Sequence, residues 1–267
     1  MKKNLLLTAA LIGAFFTSCD TKDETTPTPT AGGTTTTPTV SYLIYKDSTT
    51  ITGSSPSTEV RKFSYNSSKK LVKVEHRELP SASYSVFDTL IYNGSGQLIT
   101  VKNYSVSNAT ANQTSTYTYN GSGQLTKVVQ VVMNTSTTFS YTYTSGKITG
   151  MIASNSTNGL TISNIVYNGD NIASFIFDGD PTTATTETTA ANPYYGLNFD
   201  PTDFINMINK NNMLMAYSTA DPTIFIQNTK YTYANGRVAT SIDTVVDTTV
   251  TPAVTTVATT YITYKAY

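Results

Sequence analysis

Tyr119-Asn120-Gly121-Ser122-Gly123-Gln124-Leu125 is the stretch that decides how this chain folds. An aromatic residue, a short run of Asn, Gly and Ser, and an aliphatic residue on the far side are the parts of a β-hairpin. The pattern recurs. Phe63-Ser64-Tyr65 leads through Asn-Ser-Ser-Lys-Lys to Leu71, and Leu90-Ile91-Tyr92 leads through Asn-Gly-Ser-Gly-Gln to Leu98. Three further copies have a spacer one residue shorter: Tyr143 to Ile148, Tyr167 to Ile172 and Tyr233 to Val238. The tyrosines at 65, 92, 119, 143 and 167 are spaced by 27, 27, 24 and 24 residues, and 66 more lead to Tyr233. A repeat of that length is one supersecondary unit.

The two spacers predict related turns. In the short form Ser145-Gly146, Gly169-Asp170 and Asn235-Gly236 suit a two-residue type I′ or II′ turn, whose positive φ angles glycine and asparagine adopt at little cost. In the long form Gly123 takes the left-handed place of a three-residue loop with a bulge. Both put the tyrosine opposite Leu, Ile or Val, a cross-strand pair worth about 0.2–1 kcal/mol. In the first copy Lys69 occupies the glycine place, which predicts a looser turn.

Working outward, strand patterns fill the chain from Val40 onward. They lie near 40–46, 59–66, 69–78, 83–93, 97–107, 113–120, 124–133, 137–144, 147–153, 160–168, 171–177, 224–234, 237–246 and 256–264, fourteen in all. Alternation is clean at Tyr117 and Tyr119 against Thr116 and Thr118. It blurs at Val128, Val129, Val131 and Val132, leaving the buried face of that strand open. The exception to short connections is 178–223. There a Thr-rich run precedes Asn192-Pro193-Tyr194-Tyr195-Gly196, and Asp200-Pro201 caps a helix near 200–210 with Phe204, Met207 and Ile208 on one face. The expectation is an all-β, antiparallel up-and-down meander that curls into a closed barrel, residues 40–267 forming a single domain. Strand 256–264 pairs with 40–46, and the helical insertion serves as a lid or plug over one mouth. About 8 strands are filled by side chains and 16–18 leave an aqueous channel, so a barrel of this size calls for tyrosines, water or a plug inside. Lys73, Glu75, Lys102, Lys127 and Lys147 interrupt the strands, against the apolar outer band of a membrane pore.

The first residues read as a targeting segment. Met1-Lys2-Lys3 is basic, Leu5 to Phe16 is apolar, and small residues precede Cys19, the only cysteine. This resembles a bacterial lipoprotein signal, covering 1–18, and the resemblance implies a lipid on Cys19 that anchors the chain to a membrane and leaves no disulfide within it. Residues 19–39 are Thr- and Pro-rich and form a tether without a core. Lys22-Asp23-Glu24 resembles the tag of Bacteroidetes lipoproteins exported to the outer face of the outer membrane. It implies an outer-membrane, cell-surface location, with the periplasmic face as the alternative.

The chemistry is sparse. Net charge is zero and 13% of residues are charged, against about 25% in ordinary domains. No basic stripe exists for nucleic acid. His76, the only histidine, reads as a surface or hairpin residue, and no nucleophile elbow accompanies it. One His and a lipidated Cys leave zinc without ligands. Asp178 with Asp180, and Asp200 with Asp203, read as turn and cap residues. The expectation is therefore no enzyme, no cofactor and no metal. Tyrosine outnumbers phenylalanine 19 to 10 without Trp. Most tyrosines belong to the repeat; Tyr194 and Tyr195 stand outside it and are the candidates for contact with a ligand.

Tyr-x-Tyr-Asn-Gly-Ser-Gly-Gln-Leu-Thr resembles the YD/Rhs-type tyrosine hairpin repeat. Together with the signal and the Asn-Pro-Tyr-Tyr-Gly insertion, the chain resembles a Bacteroidetes lipoprotein family of unknown function with a porin-like fold, over roughly 40–267. That resemblance implies architecture and no catalytic residues. The function expected is a non-enzymatic, outer-membrane-anchored surface module that binds a glycan or another envelope component, with a scaffolding envelope protein or a pore as alternatives. Asp47-Ser48-Thr49, Asp88-Thr89, Asp243-Thr244 and Asp247-Thr248 also resemble the sites that Bacteroidetes O-glycosylate.

Overall fold

The computed structural model describes residues 42–52, 56–81, 83–105, 112–155, 159–192, 208, 211–219, 225–247 and 254–267. They form sixteen strands. The first eight are β1 (Tyr42–Thr52), β2 (Ser57–Tyr65), β3 (Leu71–Glu78), β4 (Ser85–Tyr92), β5 (Leu98–Asn103), β6 (Gln113–Tyr119), β7 (Leu125–Val132) and β8 (Thr135–Thr144). The rest are β9 (Lys147–Ser154), β10 (Gly159–Asn168), β11 (Asn171–Phe177), β12 (Asp180–Ala191), β13 (Asn211–Ser218), β14 (Phe225–Ala234), β15 (Arg237–Asp247) and β16 (Val254–Ala266). Each pairs with its neighbours in sequence, and β1 closes the barrel on β16 from Tyr42↔Ala266 to Thr52↔Val257. An even strand number makes first and last antiparallel, as expected.

The fourteen strands expected become sixteen because the 178–223 segment contributes β12 and β13 to the wall. Asp178-Gly179 (φ 48 and 94) is itself a type I′ turn between β11 and β12. The Thr-rich run after it is a strand whose inward side chains, Thr182 and Ala184, are small and buried. Met213-Leu214-Met215 lies in β13. Of the helix only Ile208 falls within the described residues; it is helical and packs against the core. Phe204 and Met207 lie outside them, as do 193–207 and 220–223 of the segment expected to form the lid.

The turns follow the spacers. Ser145-Gly146 and Asn235-Gly236 have positive φ at both positions, and so does Met133-Asn134 between β7 and β8. Gly96 and Gly123 sit at φ 77 and 79 in the long form. Lys69 adopts φ 60 in the first copy. That turn keeps the same backbone bonds as the glycine copies, Lys69 N–H to Asn66 C=O at 2.9 Å against Gly123 N–H to Asn120 C=O at 2.9 Å, so it is not looser in its hydrogen bonding.

Every repeat tyrosine faces its aliphatic partner: Tyr65↔Leu71, Tyr92↔Leu98, Tyr119↔Leu125, Tyr143↔Ile148, Tyr167↔Ile172 and Tyr233↔Val238. A bulge follows each pair, and the hairpins then part: the ladder from β3 to β4 stops at Lys73↔Thr89, and that from β5 to β6 at Thr100↔Thr116. The aliphatic residue's carbonyl is left beyond the ladder, where a buried acceptor without a donor is costly. The next hairpin's tyrosine caps it. Tyr92 Oη donates to Leu71 O (2.7 Å), Tyr119 to Leu98 (2.9 Å), Tyr143 to Leu125 (2.7 Å) and Tyr167 to Ile148 (2.9 Å). Tyr231 does the same to Met213 O at 3.1 Å. Tyr119→Phe is therefore expected to lower stability by about 1–2 kcal/mol, read by chemical denaturation, because Leu98 O loses its donor. Burial also raises the phenols of Tyr92, Tyr119 and Tyr143, Tyr92 to about 12. A raised value means that the stabilisation is complete below the unfolded value near 10 and is lost as pH climbs through about 12.

The lumen is a core. Ile44, Phe63, Val74, Leu90, Tyr117, Val128, Phe139, Met151, Ile172, Ala216, Val238 and Ile262, drawn from strands all round the wall, belong to one buried cluster. Val128 faces inward with Tyr117 and Phe139, while Val131 is exposed on the outside opposite Thr114 and Ser136, which settles the ambiguous strand. Outward positions are Thr, Ser and Lys, with single apolar residues such as Ile91 and Ile152 among them. A round barrel of this strand number would hold a channel. Here β12 and β15 come within 8 Å of each other although two strands lie between them. Strands spaced about 4.8 Å apart in a flat wall would hold that pair roughly 14 Å apart. The wall therefore turns sharply through β13 and β14, the cross-section is pinched, and side chains fill it.

Candidate functional site

Away from the tyrosine rim the inner wall turns polar. A bulge at Tyr45 shifts the register of β1 between Ile44 and Lys46, which re-aims the residues that follow. Asp47 then lies opposite both Ile262 and Arg61, and Thr49 opposite Thr260 and Glu59. Asp47 has 0% exposure and takes a forked contact from Arg61, Nε to Oδ1 at 3.0 Å and Nη2 to Oδ2 at 3.1 Å. Two parallel charge-assisted bonds of this kind are among the strong ones. The guanidinium also lies 5.5 Å from the Phe63 ring centroid.

Beside this pair, Glu59 Oε2 meets His76 Nε2 at 2.9 Å, and the imidazole rests 5.3 Å from the Phe87 ring. His76 is buried in the wall, which corrects its reading as a surface histidine. The signal was its period-two spacing from Val74, which placed both on one face of β3. Buried Asp88 accepts from Asn103 Nδ2 at 3.0 Å. On the other side of the seam Asp243 accepts from the hydroxyl of Thr229. Burial pushes the Asp243 carboxyl up to about 6, against the opposing effect of its bonds to Thr229 and Ser241.

His76 spends Nε2 on a carboxylate, and its Nδ1 has no hydrogen-bond partner among the described residues. Among the described residues no three His, Cys, Asp or Glu converge to hold a metal. Asp178 and Asp180 do turn duty, as expected, while Asp200 and Asp203 lie outside the described residues. So do Cys19, Tyr194 and Tyr195. Of the glycosylation-like matches, Ser48 and Thr49 are buried within β1, and Thr89 and Thr244 sit mid-strand; the folded barrel withholds the first pair from any transferase.

A second feature lies on the outside. The ladder from β9 to β10 stops at Met151↔Ile162, and Asn164 (φ 49) bulges away. A trough of about 670 Å³ opens there, lined by Thr142, Thr149, Gly150, Ile152, Ser163 and Val166 among others. A Cβ on Gly150 would meet Thr142 Oγ1 at 2.9 Å and Ile162 O at 3.1 Å, so glycine is what lets the strands approach. The trough offers hydroxyls and apolar surface, and no charge.

No family model and no curated protein matches this chain. Among solved structures, a porin-like protein from Bacteroides uniformis ATCC 8492 is similar at 15% identity and a TM-score of 0.41, over 83% of this chain and 98% of that one. The TcdB2–TccC3–Cdc42 complex is similar at 12% identity and a TM-score of 0.30. The Photorhabdus luminescens Tc holotoxin pore carrying a TccC3 mutation is similar at 12% and 0.29. The chain covers 72% of itself but only 11% of each toxin chain's length in those two matches.

Proposed function

We propose that this protein is a non-enzymatic envelope protein, anchored by a lipid on Cys19, that acts through the outside of a filled barrel. The observation that supports this reading is the single apolar core to which strands all round the lumen contribute. A membrane pore needs the reverse arrangement, with polar side chains in and an apolar band out. A filled lumen favours a scaffolding or display role over capture of a small molecule inside the barrel. The export-like tag Lys22-Asp23-Glu24 supports the outer membrane, at the cell surface, as the location.

A second reading keeps the barrel as a binding module for a glycan or another envelope component. It is favoured by the hydroxyl-lined trough on the outer wall and by Tyr194 and Tyr195 in the segment outside the repeat. Cys19→Ser is expected to move the protein from the membrane to the soluble fraction, and protease added to intact cells should digest the wild type. Retention of the Cys19→Ser protein in the membrane, or a stable conductance from purified barrel in planar bilayers, would overturn the first reading. Glycan-array binding that survives Tyr194→Ala with Tyr195→Ala would remove those tyrosines from the second.

A further inference from the structure

Two threonines on the inner wall carry hydroxyls that nothing among the described residues satisfies. Thr49 and Thr260 are 0% and 1% exposed, and each Oγ1 lacks a hydrogen-bond partner. They are not independent. Thr49 and Thr260 lie directly opposite across the seam that closes the barrel. Cross-strand neighbours on one face hold their Cβ atoms about 4.5–5.5 Å apart, a separation that one bridging oxygen spans. The large majority of buried side-chain polar atoms are paired with protein or ordered water, so two adjacent orphans point to a shared partner.

The surroundings are polar on both sides. Thr260 lies opposite Ser241, which with Thr229 bonds Asp243. Thr49 lies opposite Glu59, which holds His76. The charges beside Thr49 are engaged with each other, Asp47 with Arg61 and Glu59 with His76, so a guest between the two hydroxyls needs no charge of its own. Ala258, two residues from Thr260 on the same inward face, keeps that stretch of wall low.

We infer that the seam between β1 and β16 holds a buried binding site for a neutral hydroxyl, that of a water or of a small hydroxyl-bearing molecule, bridging Thr49 Oγ1 and Thr260 Oγ1. The guest lies between Ser241 and Glu59, and the barrel closes around it. A site of this kind needs two to four polar partners, and the two hydroxyls, each able to donate and accept, supply the first two.

Valine tests this because it keeps the shape of threonine and removes the hydroxyl. Thr49→Val and Thr260→Val are each expected to lower the melting temperature by about 2–4 °C, the shift of a lost hydrogen bond in a chain of this size. The double variant should lose less than the sum, since both residues serve one guest. Thr49→Ser, which keeps the hydroxyl, should lose less than Thr49→Val. A rise in melting temperature in either valine variant would mean that the hydroxyls are true orphans, and would overturn the site. A crystal structure of the recombinant protein then reads the guest. A single peak within hydrogen-bond distance of both Oγ1 atoms identifies water, and extended density or an adduct in native mass spectrometry identifies a larger hydroxyl compound. Empty density between the two oxygens overturns the site.

Discussion

Arg61→Ala is expected to cost about 3–5 kcal/mol. The reason is what remains. Asp47, fully buried, would lose both donors of the fork. Stripping one partner from a buried pair leaves an uncompensated charge, and that penalty exceeds the net worth of the pair. In urea, with a denaturant slope near 3 kcal/mol/M, the midpoint should fall by at least about 1 M. Asp47→Leu with Arg61→Met removes both charges and should recover most of the loss. A midpoint that barely moves in Arg61→Ala would mean that the fork does not hold Asp47.

The second large effect depends on pH. The Asp243 carboxyl titrates near 6 in the folded protein, against 3.8 for its ordinary value. The fold therefore favours the protonated acid. Its contribution is fully present below about pH 3.8 and is lost as pH rises through 6, so at pH 8 the barrel carries a buried anion at a cost of about 2–3 kcal/mol. Asp243→Asn keeps an acceptor for Thr229 without the charge. It should leave stability near pH 4 unchanged and raise it at pH 8 by about that amount. Equal stability of the two proteins at pH 8, measured in the same urea series, would show that the carboxylate is well solvated.

Much of this architecture is written in the sequence as turn chemistry. Asn-Gly, Ser-Gly and Gly-Asp at fixed distances from a tyrosine place the hairpins, because only a few residues adopt positive φ cheaply. Opposing Tyr to Leu, Ile or Val then sets the register, and a meander of even strand number closes. The strand β12 was harder to see. Its inward residues, Thr182 and Ala184, are too small to give an apolar alternation, and the Asp178-Gly179 dipeptide that announces it also reads as a pair of turn carboxylates with Asp180. The polar wall was harder still. Asp47 and Arg61 are 14 residues apart, and nothing local says that they face each other across β1 and β2. Glu59 and His76 meet for the same long-range reason. His76 nonetheless shared its face with Val74, a hint that outweighs its flanking charges once the strand is known to be half-buried.

The tyrosine caps run in one direction around the rim. At each of the four consecutive repeats the hydroxyl reaches back to the hairpin made before it. A growing chain that has completed Tyr65 and Leu71 already offers the acceptor for Tyr92, and each arriving unit completes the one behind it. The wall can thus lengthen by accretion, one unit at a time, with every intermediate edge prepared for its successor. In the same way a unit could be gained or lost without orphaning its neighbours, so the girth of such barrels is set by how many times one short verse is repeated.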